Sequence, residues 1–411
     1  MTATTNGVQT APPSPVTVIM SMLLVGTPML PPFGLAALAP DIRNSFGISG
    51  QEIGFVVAAF FVTSALVSRR AGRIVERDRA TVSLVVAAAS ITGAMFGLAF
   101  LADGVRALAL WSALAGVGNA FAHVCVNLLV VRKVPTRRRA LTFGLKQSAI
   151  PLAGLLAGLS VPAADVLGGW DRVFAAFGAM TLVVLVWAVR EAREGARRRV
   201  PAPAPGVERS ADTPLPTRGV LVLAALGAAL GVGPMTVVAS FVVVAGVAAG
   251  LAPRVGGITL AVGSLIAIAL RVSFGWLVDH RVSRGRTTGA PQLMVGTLVV
   301  SAAGLVAIDG SVQVRFVLGA AVGLGVGWAW HGLLDYSVVR LYEVNPARAT
   351  GISQIGAYVG GILGPLGGGI LVDRVGADLV WTLSAVSVLG AAAAFAGSAV
   401  LAHRSKDLAS M

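Results

Sequence analysis

Two cations sit where charge is expensive. Lys146 and Arg271 lie inside long apolar runs of this 411-residue chain, and an ionisable side chain inside such a run is a functional candidate by default. Arg271 stands eight residues before Asp279, about 12 Å along a helix rising ~1.5 Å per residue. A guanidinium keeps its protons, so it must meet an anion. That anion is either the embedded carboxylate Asp335 or a substrate. Lys146, about 10 Å into its own run, either contacts substrate or snorkels to the headgroups. Gln147, Gln354 and Asn119 offer donors and acceptors to a solute, although such groups also glue membrane helices together. His123 and His331 can take a proton near neutral pH, or sit neutral against a neighbouring helix. Asp335, five residues before Arg340, reads first as a latch to Arg281 and second as a proton carrier.

Other chemistries lack their residues. The three lysines follow Arg132, Leu145 and Ser405, so no Gly-Lys phosphate loop exists. The four histidines form no His-Glu-x2-His zinc motif. The single cysteine, Cys125, allows neither an internal disulfide nor a cysteine-built metal site. No catalytic residue, metal or cofactor is expected, and the chain does not read as an enzyme.

The elements that hold these residues follow from composition. Only 12% of residues are charged and 56% are hydrophobic, with mean hydropathy +0.83. A soluble domain carries about 25% charge, so half of that cannot solvate a surface of this size. A membrane span needs about 20 apolar residues. Twelve stretches qualify: 16–39, 50–68, 80–102, 107–131, 140–162, 172–190, 219–245, 256–278, 289–308, 314–338, 349–372 and 379–402. The spacing predicts helices, since strands would cross in about half that length. With the N-terminus in the cytoplasm, 24 of the 32 Lys and Arg face inward, as the positive-inside rule requires. The net charge of +14 thus points to anionic headgroups rather than nucleic acid. The expected organisation is a disordered cytoplasmic tail at 1–15, six helices at 16–190, a cytoplasmic linker at 191–218 with Pro201, Pro203 and Pro205, six helices at 219–402, and a tail at 403–411. The expected setting is the cell membrane, with the chain a monomer and both termini cytoplasmic.

The two halves repeat. His123-x3-Asn127-x2-Val130-Val131-Arg132 recurs 208 residues later as His331-x3-Asp335-x2-Val338-Val339-Arg340, and Asp165-x2-Gly168 recurs as Asp373-x2-Gly376. Gly144-x2-Gln147-x6-Gly154 returns at 207 as Gly351-x2-Gln354-x6-Gly361. Parallel repeats of this kind place a binding site between the halves near the membrane midplane.

With those halves, the sequence resembles the major facilitator superfamily. Its mark is a Gly-x3-Asp-basic-x-Gly-basic loop after the second span, weakly repeated after the eighth. Here the first copy runs from Gly72 to Arg79 with Glu76 in the acid's place and Arg77 after it; the second carries Gly275, Asp279 and Arg281. Gly169-Trp170-x3-Phe174 and Arg315-x3-Gly319 are also similar to the family. The resemblance covers about residues 16–402. It implies an all-α membrane fold of two six-helix bundles and a secondary transporter of a small solute; protonatable groups without a nucleotide site make protons the expected coupling ion. Arg271-x3-Gly275-x3-Asp279 resembles the eighth span of monocarboxylate transporters, which implies that Arg271 meets a carboxylate and that the solute is a small organic anion. Two departures speak against drug export: Ser112 stands where many members carry Arg in span four, and span five lacks the Gly-Pro-x2-Gly-Gly signature, which appears at Gly364 to Gly368 instead. Drug efflux is the alternative, with a membrane sensor or lipid flippase behind it. Trp170, Trp276 and Trp381, near span ends, are expected as interfacial anchors.

Overall fold

The computed structural model describes residues 15–76, 80–133, 138–197, 218–342 and 346–409. The N-terminal tail, Arg77 and most of the linker, including its prolines, lie outside them. The long apolar runs among the described residues are helical, because a helix pairs its backbone N–H and C=O groups internally where no water can. The helices are α1 (Pro15–Gly26), α2 (Leu30–Ala37), α3 (Ala39–Phe46), α4 (Gly50–Glu76), α5 (Ala80–Phe100), α6 (Val105–Lys133), α7 (Arg139–Leu167) and α8 (Trp170–Arg197). The second half contains α9 (Arg218–Ala248), α10 (Pro253–Ser283), α11 (Ala290–Val306), α12 (Gln313–Gly327), α13 (His331–Leu341), α14 (Pro346–Val375) and α15 (Ala377–Ala409).

Twelve spans follow from these fifteen helices. Ten segments are long and apolar enough to cross a membrane, one of them α12 continued by α13. The first span is broken: Met22–Ala37 and Ala39–Phe46 meet at 65°. Pro28, Pro31, Pro32 and Pro40 explain this, since each removes a backbone donor and crowds the preceding turn. The ninth span, α11, has 17 residues, a length of about 26 Å that falls just short of the usual hydrocarbon thickness. Large apolar side chains such as Leu66, Phe100 and Val166 face outward. In water they would be a liability, but against lipid they are the expected coat. Trp276 is exposed on that surface as an anchor would be, whereas Trp381 is only 2% exposed. Trp381 belongs to the packed interior of the second half, which corrects its reading as an anchor.

Across the halves, α7 packs along α10 and α4 along α14. Glycines permit this approach. A Cβ on Gly275 would stand 2.8 Å from the carbonyl oxygen of Ala140 and from the Cα of Leu141, and one on Gly257 would stand 2.6 Å from the Gly158 oxygen. The helices therefore touch backbone to backbone, near both ends of their contact.

Candidate functional site

Span ten breaks where it meets the centre of the molecule. After Gly323, Gly325 and Gly327 the helix stops, and Trp328–Trp330 form turns before α13 resumes. The break turns the Trp328 carbonyl outward from the helix ladder. The Arg271 Nε donates to that oxygen at 2.7 Å, and its Nη1 donates to the Gln147 carbonyl oxygen of α7. Arg271 is thus anchored by two backbone oxygens, one from each half, with its full charge retained.

Asp335 is held elsewhere. Its Oδ2 accepts from Gln147 Nε2 at 2.6 Å and lies 3.6 Å from Lys146 Nζ. Three expectations are corrected by this geometry. Asp335 pairs with Lys146 rather than Arg271, and it does not reach Arg281, whose guanidinium lies over Gly289. Lys146 does not snorkel: it is 3% exposed, and its ammonium joins α7 to α13 across the two halves. Depth along the chain alone did not reveal that pairing, because α13 starts again after a break and rotates Asp335 toward α7.

A small cavity lies beside these charges. His123 and Asn119 of α6, Arg271 of α10, His331 of α13, and Gln354 and Tyr358 of α14 line it, with Phe33, Phe61 and Trp328 as an aromatic wall. Its free volume is about 40 Å³, against the roughly 300–1,000 Å³ of ligand pockets in general. The halves must separate at one end before a solute larger than a few waters can enter. Of the residues singled out from sequence, Asn119, His123, Arg271, His331 and Gln354 meet around one cavity. Lys146, Gln147 and Asp335 form the charged bridge next to it. Sequence reasoning missed the aromatic wall, Tyr358, and the Trp328 carbonyl. The Gly-x-Gly-x-Gly run before two tryptophans was a usable sign of the break.

The loop motif lies apart from the cavity. Asp279 accepts from the backbone N–H groups of Ala140 at 3.2 Å and Leu141 at 2.9 Å. A carboxylate from α10 therefore caps the first turn of α7 across the halves, where the helix dipole favours negative charge. Gly72 is half-buried near the end of α4, and Glu76 is the last residue of that helix.

A bundle of twelve spans, split into two repeated halves around a small central cavity with Arg271 on its wall and the Lys146–Asp335 bridge beside it, is the architecture of a membrane transporter. The Major Facilitator Superfamily matches residues 18–290, and the chain belongs to that family. It is therefore a multi-pass membrane protein of that family. Among known proteins it is similar to the hexuronate transporter of Bacillus subtilis (strain 168), at 27% identity over 156 residues, 38% of this chain and 36% of the relative. The match spans little more than a third of that relative's length. Among solved structures it is similar to the proton:xylose symporter XylE bound to 6-bromo-6-deoxy-D-glucose, with TM-score 0.67 and 14% identity over 92% of this chain and 95% of that one. That likeness is one of fold.

Proposed function

We propose that this transporter moves a small organic anion, a carboxylate, together with protons, by alternating access of the two halves around the central cavity. One observation carries the reading. Among the described residues, the buried centre holds two cations, Lys146 and Arg271, against one carboxylate, Asp335. A surplus positive charge away from water calls for an anion. Arg271 would take the carboxylate, since a guanidinium fork matches its two oxygens, with Gln354 and Asn119 beside it. The relative named for hexuronate, itself an organic anion, supports this class, and the buried His123, His331 and Asp335 are the protonatable groups that support proton coupling.

The coupling would run through the bridge. A proton on Asp335 cancels its charge and releases Lys146 and Gln147 to the arriving anion. His123 and His331, both facing the cavity, are the groups that would pass the proton on. Both termini and the 191–218 linker would face the cytoplasm, so labels on residues 200–215 should react only from inside. The decisive test is transport by purified protein in liposomes. Arg271→Gln and Lys146→Gln should abolish carboxylate uptake driven by a proton gradient while the protein still inserts. Normal uptake by both variants would return these residues to a structural role. The aromatic wall favours a second reading, efflux of an amphipathic drug, and a screen in which only apolar compounds move would select it.

A further inference from the structure

One buried acceptor on a residue of the cavity wall is left over. Asn119 is fully buried. Its Nδ2 donates to Ser64 Oγ at 3.1 Å, and that hydroxyl spends its single proton on the Gly116 carbonyl oxygen at 3.1 Å. Ser64 therefore only accepts from Asn119, which fixes the orientation of the amide: the nitrogen faces Ser64, and a flipped amide would set two acceptors against each other. The Asn119 Oδ1 has no hydrogen-bond partner, and Asn119 lines the same cavity as Arg271 and His331. A buried acceptor held in place without a donor is costly to keep, so its natural complement is a donor carried by the solute.

The charges around it decide what kind of donor. An ammonium would enter a centre where Lys146 and Arg271 already outnumber Asp335, so a neutral O–H is favoured over N–H⁺. Building on the anionic reading above, we infer that the solute is a hydroxylated carboxylate, such as a hydroxy acid or sugar acid, whose hydroxyl donates to Asn119 Oδ1 while its carboxylate meets Arg271. Asn119 belongs to α6 in the first half and Arg271 to α10 in the second. A solute with both groups ties α6 to α10; one with the carboxylate alone leaves α6 without a bond to it. Ser64 acts as the positioning residue, because it holds the amide in the receptive orientation.

The test uses the full-length protein in lipid nanodiscs, titrated by tryptophan fluorescence, with Trp328 in the cavity wall as reporter. The probes are lactate against propionate, gluconate against hexanoate, and glucitol as a neutral polyol. The wild type should prefer the hydroxylated acid in each pair by roughly tenfold or more, as a site built to bond a hydroxyl does. Asn119→Leu should collapse that ratio to about one. Ser64→Ala, a smaller change that the fold tolerates more easily, should narrow it. Arg271→Gln should weaken both acids of a pair by the same factor. Equal binding of both acids by the wild type, or equal weakening of both in Asn119→Leu, overturns the hydroxyl site and leaves the anion site standing. If no acid binds but glucitol binds in an Asn119-dependent way, the anionic reading fails, and with it the hydroxy acid, while the hydroxyl contact survives. If none of the five binds, both are overturned.

Discussion

At the scale of single residues, the bridge between Lys146 and Asp335 is the contact with most at stake. Its two ends come from different halves and both are buried, so removing one leaves the other's charge without its counterpart. Asp335→Asn should destabilise the protein by roughly 3 kcal/mol or more, visible as a lower apparent Tm. The double variant Lys146→Met with Asp335→Leu should recover most of that loss, since an apolar pair of similar volume is often neutral in stability. It should not recover transport if the bridge carries the proton. A double variant as unstable as the single one would mean that the pair does more for the fold than its mutual attraction.

At the scale of elements, α7 and α10 depend on their glycines. Gly275→Val would drive a side chain into the backbone at Ala140 and Leu141, and backbone cannot rotate away. That end of the contact should open. Cys125 is buried, so it contributes little background to thiol labelling. A cysteine at Phe143, now 2% exposed, should react slowly in the parent and at least several-fold faster beside Gly275→Val; an unchanged rate would show that the two helices adjust without parting. The short connection from α11 to α12 is held differently. Asp309 accepts from the hydroxyl of Ser311 at 2.6 Å and its N–H at 2.9 Å, and pairs with Arg315 at 2.8 Å. The Ser311 bonds hold the Asp309 carboxyl below its ordinary value of 3.8. The stabilisation is therefore complete above that value and lost as pH falls through the lowered one. Protection of the Ser311 amide, taken relative to its intrinsic exchange rate at each pH, should hold between about pH 5 and pH 7 and fall only in stronger acid; early loss of protection would contradict the assignment.

At the scale of the whole molecule, two carboxylates cap helices that belong to the opposite half. Asp279 of α10 caps α7, and Asp373 of α14 accepts from the Gln51 N–H of α4 at 2.9 Å. The two caps close opposite ends of the interface. Each is worth about 1 kcal/mol if it behaves like other carboxylates at helix N-termini, enough to shift a two-state balance roughly fivefold. Asp279→Asn should raise the fraction of molecules open at its end, and Asp373→Asn the fraction open at the other. Distances between spin labels placed across the halves would report both. Parallel shifts toward the same side would show that the caps do not act as opposing gates.

Much of this was already written in the sequence. Hydropathy along consecutive residues fixes where helices cross, and the placement of Arg and Lys sets which loops are expected in the cytoplasm. The recurrence of His123 and Gln147 as His331 and Gln354 marks two related halves. Such features are local or periodic, so they survive without knowledge of the fold. The same reasoning also picked out Asn119, His123, Arg271, His331 and Gln354, because polar groups inside apolar runs are rare enough to stand out. Which of them meet was decided only in three dimensions. Lys146 found Asp335 rather than the headgroups, Arg271 found two carbonyl oxygens rather than Asp335, and Trp381 turned inward. Those outcomes depend on how far each helix is rotated and where its neighbours break, as at Trp328–Trp330. Lys146 and Asp335 lie in different halves, and the rotation that brings them together comes from the packing of α7, α10 and α13, which no run of neighbouring residues encodes by itself.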